Sequence, residues 1–118
     1  MEEIESVKEI GSIKIGDVFF ADLRPVVGSE QGGIRPVIIL RVNKFGNGET
    51  VVCAPLSSNI EDTGVTILLN ECETKLNSDS YVILEQIRTI DKRRLLEKVA
   101  TLPDDSIELI RKSMLAMY

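Results

Sequence analysis

The residues best suited to chemistry lie in a glycine-rich stretch directly before an apolar segment. The stretch reads Gly28-Ser29-Glu30-Gln31-Gly32-Gly33-Ile34-Arg35-Pro36. Its glycines would let main-chain N–H groups approach a ligand closely, and Arg35 could present a planar guanidinium group to a phosphate. A flexible connector between two strands would have a similar composition. Composition alone therefore leaves a phosphate-binding loop and an ordinary connector both open.

The cysteines and the lack of histidine limit the other kinds of site. Cys53 and Cys72 are the only cysteines, and the chain has no histidine. A zinc site of the usual Cys/His kinds therefore cannot be assembled within one chain. Cys53 lies in an apolar segment and is predicted to be a core residue, whereas Cys72 has acidic neighbours and no base to activate it. A structural zinc site is therefore not expected, and catalysis by a cysteine is not favoured.

The charge of the chain is unevenly distributed. The formal net charge is −5, although a nucleic-acid-binding protein usually carries a basic surface. Residues 1–10, 11–57, 58–85 and 86–118 carry −3, +1, −5 and +2 respectively. A site built from the second and fourth segments could be locally positive through four arginines, which are Arg24, Arg35, Arg41 and Arg88. Tight non-specific RNA binding is not expected.

Short apolar segments rich in β-branched residues predict a small antiparallel sheet or barrel. They are Val18–Leu23, Val37–Val42, Val51–Leu56, Val65–Leu69 and Tyr81–Leu84, and Ile87–Ile90 could add a sixth strand. The connection Asn43–Gly48 has the glycine and asparagine content of a hairpin, so the second and third strands should pair antiparallel. No helix is predicted between the strands, which argues against βαβ units.

The end of the chain changes to a helical period. Apolar residues recur at helical intervals after Pro103, at Ile107, Ile110, Met114 and Met117. This pattern predicts a C-terminal helix that packs on the sheet, with Thr101 as its N-cap. A shorter helical turn could form around Lys92–Glu97. The predicted class is therefore α+β and mainly β, with one domain over residues 13–118 and an N-terminal extension of unknown role over residues 1–12.

Nothing in the sequence predicts a membrane protein. No apolar run approaches the roughly 18 residues that a membrane span needs. The first residues, Met1-Glu2-Glu3-Ile4-Glu5, are acidic where a signal peptide would be basic. A soluble, cytoplasmic protein is expected.

Four blocks of the sequence resemble the MazF/PemK/Kid family of toxins, in the family's order and approximate spacing. They are Gly16–Leu23, Pro25–Pro36, Pro55–Ser58 and Leu84–Asp91. The resemblance implies a compact SH3-like antiparallel barrel of the CcdB/MazF/Kid-like toxin fold, with a C-terminal helix and a homodimeric assembly. It also implies metal-independent, sequence-specific cleavage of single-stranded RNA, chiefly mRNA, which leaves 2′,3′-cyclic phosphate and 5′-hydroxyl ends and inhibits translation and growth. A cognate antitoxin with a disordered inhibitory tail is the implied partner.

The resemblance also assigns candidate catalytic residues. The family's catalytic arginine falls on Arg35, and its hydroxyl-bearing threonine falls on Ser57, whose hydroxyl can make the same hydrogen bond. Removing the proton of an arginine side chain at pH 7 costs at least about 7 kcal/mol. We therefore expect Arg35 to act as a charged clamp and proton donor, and Glu30 to be the candidate base. A solvated loop glutamate remains the alternative for Glu30.

Other residues of the blocks are candidates for RNA binding, namely Gln31, Gly32, Ser58, Gln86 and Arg88. Gln86 and Arg88 could bind the backbone or read base edges, or could tie the sheet to the helix instead. Among the aromatic residues, Phe19, Phe20 and Tyr81 lie in predicted strands and are expected in the core. Phe45 lies in a predicted loop and is expected to be more exposed.

Three other functions would suit a chain of this kind. The same barrel family includes gyrase poisons, which act by protein contact, and an inactive toxin homologue is also conceivable. A generic SH3-like adaptor would be expected to show an aromatic groove, but aromatic residues make up only 4% of the chain. The pair Arg35 and Ser57 favours the nuclease over these alternatives.

Overall fold

The structure is a computed structural model that describes residues 13–24, 33–45, 48–58, 66–70, 74, 76 and 78–117. The strands are β1 (Asp17–Asp22), β2 (Ile34–Phe45), β3 (Gly48–Ser57), β4 (Thr66–Leu69), β5 (Ser80–Ile83), β6 (Arg88–Asp91) and β7 (Leu95–Thr101). Two 3-10 turns cover Leu84–Gln86 and Lys92–Arg94, and the helix α1 spans Asp104–Ala116. None of the helices in these residues is long and apolar enough to cross a membrane.

The strands form one antiparallel sheet whose order is β4-β5-β3-β2-β1-β7, with β6 paired to β3 beside this path. The predicted hairpin of β2 and β3 is confirmed, and it carries the longest ladder in the sheet. The mainly β class, the antiparallel pairing and the C-terminal helix are confirmed as well. β7 was not predicted, because charged residues interrupt its apolar ones, as Glu97 and Lys98 show.

Both faces of the central sheet are buried. On one face lies a cluster that receives α1 and contains Val18, Ile38, Ala54, Leu56, Val82, Leu102 and Ile110. On the other lies a cluster inside the curled sheet that contains Phe19, Ala21, Val37, Ile39, Cys53, Ile90 and Leu95. A strand buried on both faces needs a continuous apolar run, which the central parts of β2 and β3 supply. Cys53 is fully buried, so its predicted role as a core residue is confirmed.

The start of α1 differs from the prediction. Pro103 is the N-cap, whereas Thr101 is the last residue of β7. The Thr101 hydroxyl donates a 2.9 Å hydrogen bond to the buried carboxylate of Asp17. The N-cap prediction for Thr101 was wrong because a distant carboxylate takes the hydroxyl that would have capped the helix.

The turn before β1 ties three parts of the fold together. Gly16 has φ +95°, a conformation that favours glycine. Its N–H donates to the carbonyl of Ile39 over 2.8 Å, and its own carbonyl accepts from the N–H of Leu102 over 3.0 Å. Asp17 follows directly and accepts a 2.9 Å hydrogen bond from the N–H of Lys14. These contacts fix the start of β1 at the end opposite to the candidate site.

Candidate active site

Arg35 lies near the start of β2, where the strand leaves the glycine-rich stretch. It pairs with Ala21 of β1, and the N–H of Leu23 donates a 2.9 Å hydrogen bond to the carbonyl of Gly33. This bond closes the base of the connection between β1 and β2. Gly33 has φ +72°, and among the described residues, its chain neighbours aside, no atom lies within 4 Å of the place where a Cβ would stand. Glycine is therefore favoured at this position by backbone conformation and not by lack of space.

Ser57 lies across the sheet from Arg35. The register of β2 and β3 pairs Ile39 with Cys53 and Val37 with Pro55. Continuing that register by two residues places Arg35 opposite Ser57, on the face that carries Val37 and Cys53. Neighbouring strands lie roughly 4.8 Å apart, so the two side chains start close enough to contact one phosphate group. Both residues also take part in other interactions within the protein.

β3 changes its partner strand next to Ser57. Its residues Thr50–Cys53 pair with β6, and its residues Leu56 and Ser57 pair with β5. Pro55 lies between the two ladders, where its missing N–H leaves no donor unpaired. The turn Leu84–Gln86 connects β5 to β6 and packs against β3 at this change. The half-buried residue Gln86 is thereby placed beside the strand that carries Ser57.

Arg88 lies on the same face as Arg35 and Ser57. It is the first residue of β6 and pairs with Cys53. Its Nη1 atom is buried and has no hydrogen-bond partner within the described part of the chain. A buried charged donor without a partner is costly. An anionic group such as a phosphate could supply the missing partner.

The thiol of Cys53 is not a candidate nucleophile. Burial raises the pKa of Cys53 to about 12, although the nearby positive charge of Arg88 opposes this rise. The thiol therefore stays protonated at neutral pH, whereas a nucleophilic cysteine needs the thiolate.

The structure separates the four arginines that the sequence suggested for one positive site. Arg41 pairs with Val52, so it lies on the face opposite to that of Cys53. Arg24 donates to the carboxylate of Asp22 through Nε at 2.8 Å and Nη2 at 2.7 Å. These hydrogen bonds hold the pKa of Asp22 well below its usual range. Of the four, only Arg35 and Arg88 share the face of Ser57.

Arg94 holds the main chain beside this site, and no pattern in the sequence predicted this role. Its Nη1 donates to the main-chain carbonyls of Asp22, over 3.1 Å, and of Arg24. Both acceptors lie where β1 ends and the connection to Arg35 begins. The acceptors are 72 and 70 residues away in sequence, so no local pattern reveals the contact. The only available signal was the basic run Lys92–Arg94 directly after the block Leu84–Asp91.

The remaining candidates fall into two groups. Ser58 is exposed and follows β3 directly, next to Ser57. Glu30, Gln31 and Gly32 lie outside the described residues, so their assigned roles stay predictions.

The fold belongs to a known class of small, mainly β proteins. The chain is similar to the crystal structure of MazF (Form-I) from Deinococcus radiodurans, with a TM-score of 0.70 and 22% identity over 89% of this chain and 94% of that one. It is also similar to the crystal structure of MazE-MazF (Form-II) from the same organism, with a TM-score of 0.66, 21% identity and the same coverage. At these identities the likeness shows the fold alone.

The family follows from the sequence match. A family model described as the PemK-like, MazF-like toxin of type II toxin-antitoxin system matches residues 14–118, and the chain belongs to this family. A curated relative, Endoribonuclease EndoA of Bacillus subtilis (strain 168), is 41% identical over 107 residues, which cover 86% of this chain and 90% of the relative.

Proposed function

We propose that this chain is the toxin of a type II toxin-antitoxin system and acts as an endoribonuclease on single-stranded RNA, chiefly mRNA, at specific short sequences. The endoribonuclease assignment follows from the family and from the relative of that name, which aligns over most of both chains. The observation that supports it in the structure is the register of β2 and β3, whose ladder ends at the pair Val37 and Pro55, two residues short of Arg35 and Ser57, with Arg88 on the same face. Cleavage of mRNA would inhibit translation and growth.

The proposed reaction needs no metal ion and no other cofactor. The 2′-hydroxyl of one nucleotide attacks the adjacent phosphorus, and the bond from phosphorus to the 5′-oxygen breaks. A base takes the proton of the 2′-hydroxyl, and an acid gives a proton to the leaving 5′-oxygen. The products carry a 2′,3′-cyclic phosphate and a 5′-hydroxyl. The protein must therefore supply a base, an acid and donors for the charged phosphate oxygens.

Arg35 and Ser57 would bind the reacting phosphate. The guanidinium of Arg35 neutralises the charge that develops on the phosphate oxygens. As the acid it gives a proton to the leaving 5′-oxygen, which becomes the 5′-hydroxyl, and it then regains a proton from water. The hydroxyl of Ser57 donates to a second phosphate oxygen, and Nη1 of Arg88 supplies a further donor. Each preorganised donor of this kind typically contributes about 10²- to 10³-fold in rate.

The base is assigned to Glu30. Its carboxylate is ionised at pH 7, and it belongs to the connection whose base is closed by Leu23 and Gly33. Gln31 and Gly32 of the same connection, together with Ser58, Gln86 and Arg88, would bind the RNA on either side of the reacting phosphate. Ser58 is the next residue in the chain after Ser57, and Gln86 belongs to the turn Leu84–Gln86, which packs against β3.

The assembly and location are part of the same proposal. The proposed assembly consists of a homodimer and a cognate antitoxin with a disordered inhibitory tail. The antitoxin partner is supported by the family, described as the toxin of a type II toxin-antitoxin system, and by a similar structure that contains MazE with MazF. We assign the toxin domain to residues 13–118, of which the family match covers 14–118, and residues 1–12 to an extension. The cytoplasm is the expected location because mRNA is the proposed substrate.

The test is cleavage of mixed-sequence single-stranded RNA by the purified chain in the presence of EDTA, with mapping of the cut ends. Cyclic phosphate and 5′-hydroxyl ends are expected. Arg35→Ala should lower the rate at least about 100-fold, and Ser57→Ala should lower it less. Glu30→Gln should lower the rate if Glu30 is the base, and a parental rate would remove it from the mechanism.

Arg41→Ala is the matched control, because Arg41 lies on the opposite face of the same strand. It should keep the parental rate. Absence of cyclic-phosphate ends, or equal rates for Arg35→Ala and the parent, would reject the nuclease and favour a non-catalytic module such as a gyrase poison or an inactive homologue.

A further inference from the structure

The face that carries Ser57 continues across two more strands. Ser57 pairs with Tyr81 of β5, and Tyr81 pairs with Leu68 of β4. Paired residues of an antiparallel ladder share a face, and their Cβ atoms lie roughly 5 Å apart. The adjacent pair, Leu56 and Val82, is fully buried on the opposite face. Tyr81 and Leu68 therefore extend the row that begins with Ser57 to the edge of the sheet.

This end of the row presents apolar surface to solvent. The side chain of Leu68 is 52% exposed, and Tyr81 is half-buried. The sequence predicted Tyr81 to be a core residue, and the structure corrects this, because its neighbour on the same face is Leu68 of the outermost described strand on this side, β4, and Leu68 is itself exposed. Exposed apolar surface beside a polar site is typical of a surface that contacts a ligand.

The local charge is unsuited to a phosphate group at this end of the row. Asp79 and Glu85, on either side of β5, are both exposed. These carboxylates repel the RNA backbone, but they do not repel an uncharged nucleobase. Every nucleobase has a π-face that can stack on an aromatic ring, and single-stranded RNA presents its bases unstacked.

We propose that Tyr81 stacks on a nucleobase next to the phosphate held by Arg35 and Ser57, and that Leu68 extends this stacking surface. The inference rests on the proposed nuclease function and names a part of its substrate. Tyr81 would thus help to determine which base is accepted beside the cut, because purines and pyrimidines differ in stacking strength.

The first experiment compares cleavage of short single-stranded RNAs by the parent and by Tyr81→Ala. The variant should raise KM at least about fivefold, as expected for loss of one stacked base, and should change the base preference beside the cut. Tyr81→Phe keeps the ring and should stay within about twofold of the parent. Leu96→Ala is the matched control, because Leu96 is a 50% exposed leucine of β7, at the other edge of the sheet.

The second experiment needs no change at Tyr81, and so it does not depend on the stability of that variant. The chain has no tryptophan and only two tyrosines, so Tyr118→Phe makes Tyr81 the sole source of tyrosine emission. Single-stranded DNA of the preferred sequence lacks the attacking 2′-hydroxyl and cannot be cut. Its binding should quench the emission of Tyr81 saturably.

The outcomes separate this inference from the function on which it rests. Cleavage by the parent, with unchanged KM and base preference for Tyr81→Ala, would overturn the stacking role and leave the nuclease standing. Saturable binding of the DNA without any change in emission would overturn it as well. Absence of cleavage by the parent would reject both the nuclease and the inference.

Discussion

Nη1 of Arg94 donates a 3.1 Å hydrogen bond to the main-chain carbonyl of Asp22, at the point where β1 ends. The bond ties the connection that leads to Arg35 to the 3-10 turn Lys92–Arg94. Arg88 precedes that turn by one short strand. Within the segment from residue 88 to residue 94, Arg88 therefore lies on the face of the candidate site, and Arg94 anchors the end of β1 beside that site.

Arg94→Ala should lower the rate of RNA cleavage about tenfold, the effect expected for loss of roughly 1.4 kcal/mol of hydrogen bonding that positions the loop. The loss should lie mainly in kcat, because Arg94 holds the end of β1, which pairs with β2 at Arg35, and is not assigned to the RNA. Arg94→Lys keeps a donor and should recover part of the rate.

Arg93→Ala is the control for that measurement. Its side chain is 83% exposed and contacts Asp91. Its rate should equal that of the parent. Equal rates for Arg93→Ala and Arg94→Ala would show that the anchor at Asp22 does not matter for cleavage.

Asp17→Ala should destabilise the fold by about 3 kcal/mol, because it removes the buried carboxylate that accepts hydrogen bonds from the hydroxyl of Thr101 and the N–H of Lys14. Urea unfolding measures the loss. Lys98→Ala should cost less than about 1 kcal/mol, since the Lys98 side chain is 47% exposed and its Nζ lies 3.4 Å from the carboxylate. A larger loss for Lys98→Ala than for Asp17→Ala would contradict the assignment of hydrogen bonds.

Gly16→Ala should cost about 2 kcal/mol, because φ is +95° and the new Cβ would lie 2.3 Å from Cδ1 of Ile107. Gly33→Ala should cost less, since its φ is +72° and no atom of the described residues beyond its chain neighbours lies within 4 Å of the new Cβ. In a double-mutant cycle, Ile107→Ala should relieve the close contact with the new Cβ but not the backbone strain. The loss of stability in the double mutant should therefore be smaller than the sum of the losses in the two single mutants. Thermal unfolding of the four variants gives the comparison.

The stability should fall at alkaline pH because of Cys53. Its pKa in the folded state is about 12, above the ordinary value of 9.0, so its contribution is fully present below pH 9 and is lost as the pH rises toward 12. The slope for this one group approaches about 1.4 kcal/mol per pH unit. Cys53→Ala should remove this part of the pH dependence of the free energy of unfolding, measured by urea unfolding between pH 9 and pH 10.5. Cys72 is present in both proteins, so its contribution cancels when the two profiles are subtracted. Parallel pH profiles for the two proteins would contradict burial of the thiol.

The strands were predictable from the sequence where burial on both faces demanded continuous apolar runs, as in β2 and β3. The helix was predictable because Ile107, Ile110 and Met114 repeat at its period. β7 was missed because its pattern is broken by charged residues. Thr101 was wrongly predicted as an N-cap because its hydroxyl binds the carboxylate of Asp17, which is distant in sequence. Tyr81 was wrongly predicted as a core residue because its exposure depends on its partner strand β4.

The sequence by itself determined the family blocks, the antiparallel class and the identity of Arg35 and Ser57 as candidates, because these rest on residue types and on local periodicity. Only the tertiary structure decided that Ser57 adjoins Tyr81, that Arg88 shares its face while Arg41 does not, and that Arg94 anchors the end of β1. A one-residue change in register or a bulge moves a side chain to the other face of a sheet. Which residues share a site is therefore fixed by strand pairing between distant segments, and the register that sets Arg35 opposite Ser57 is the central example.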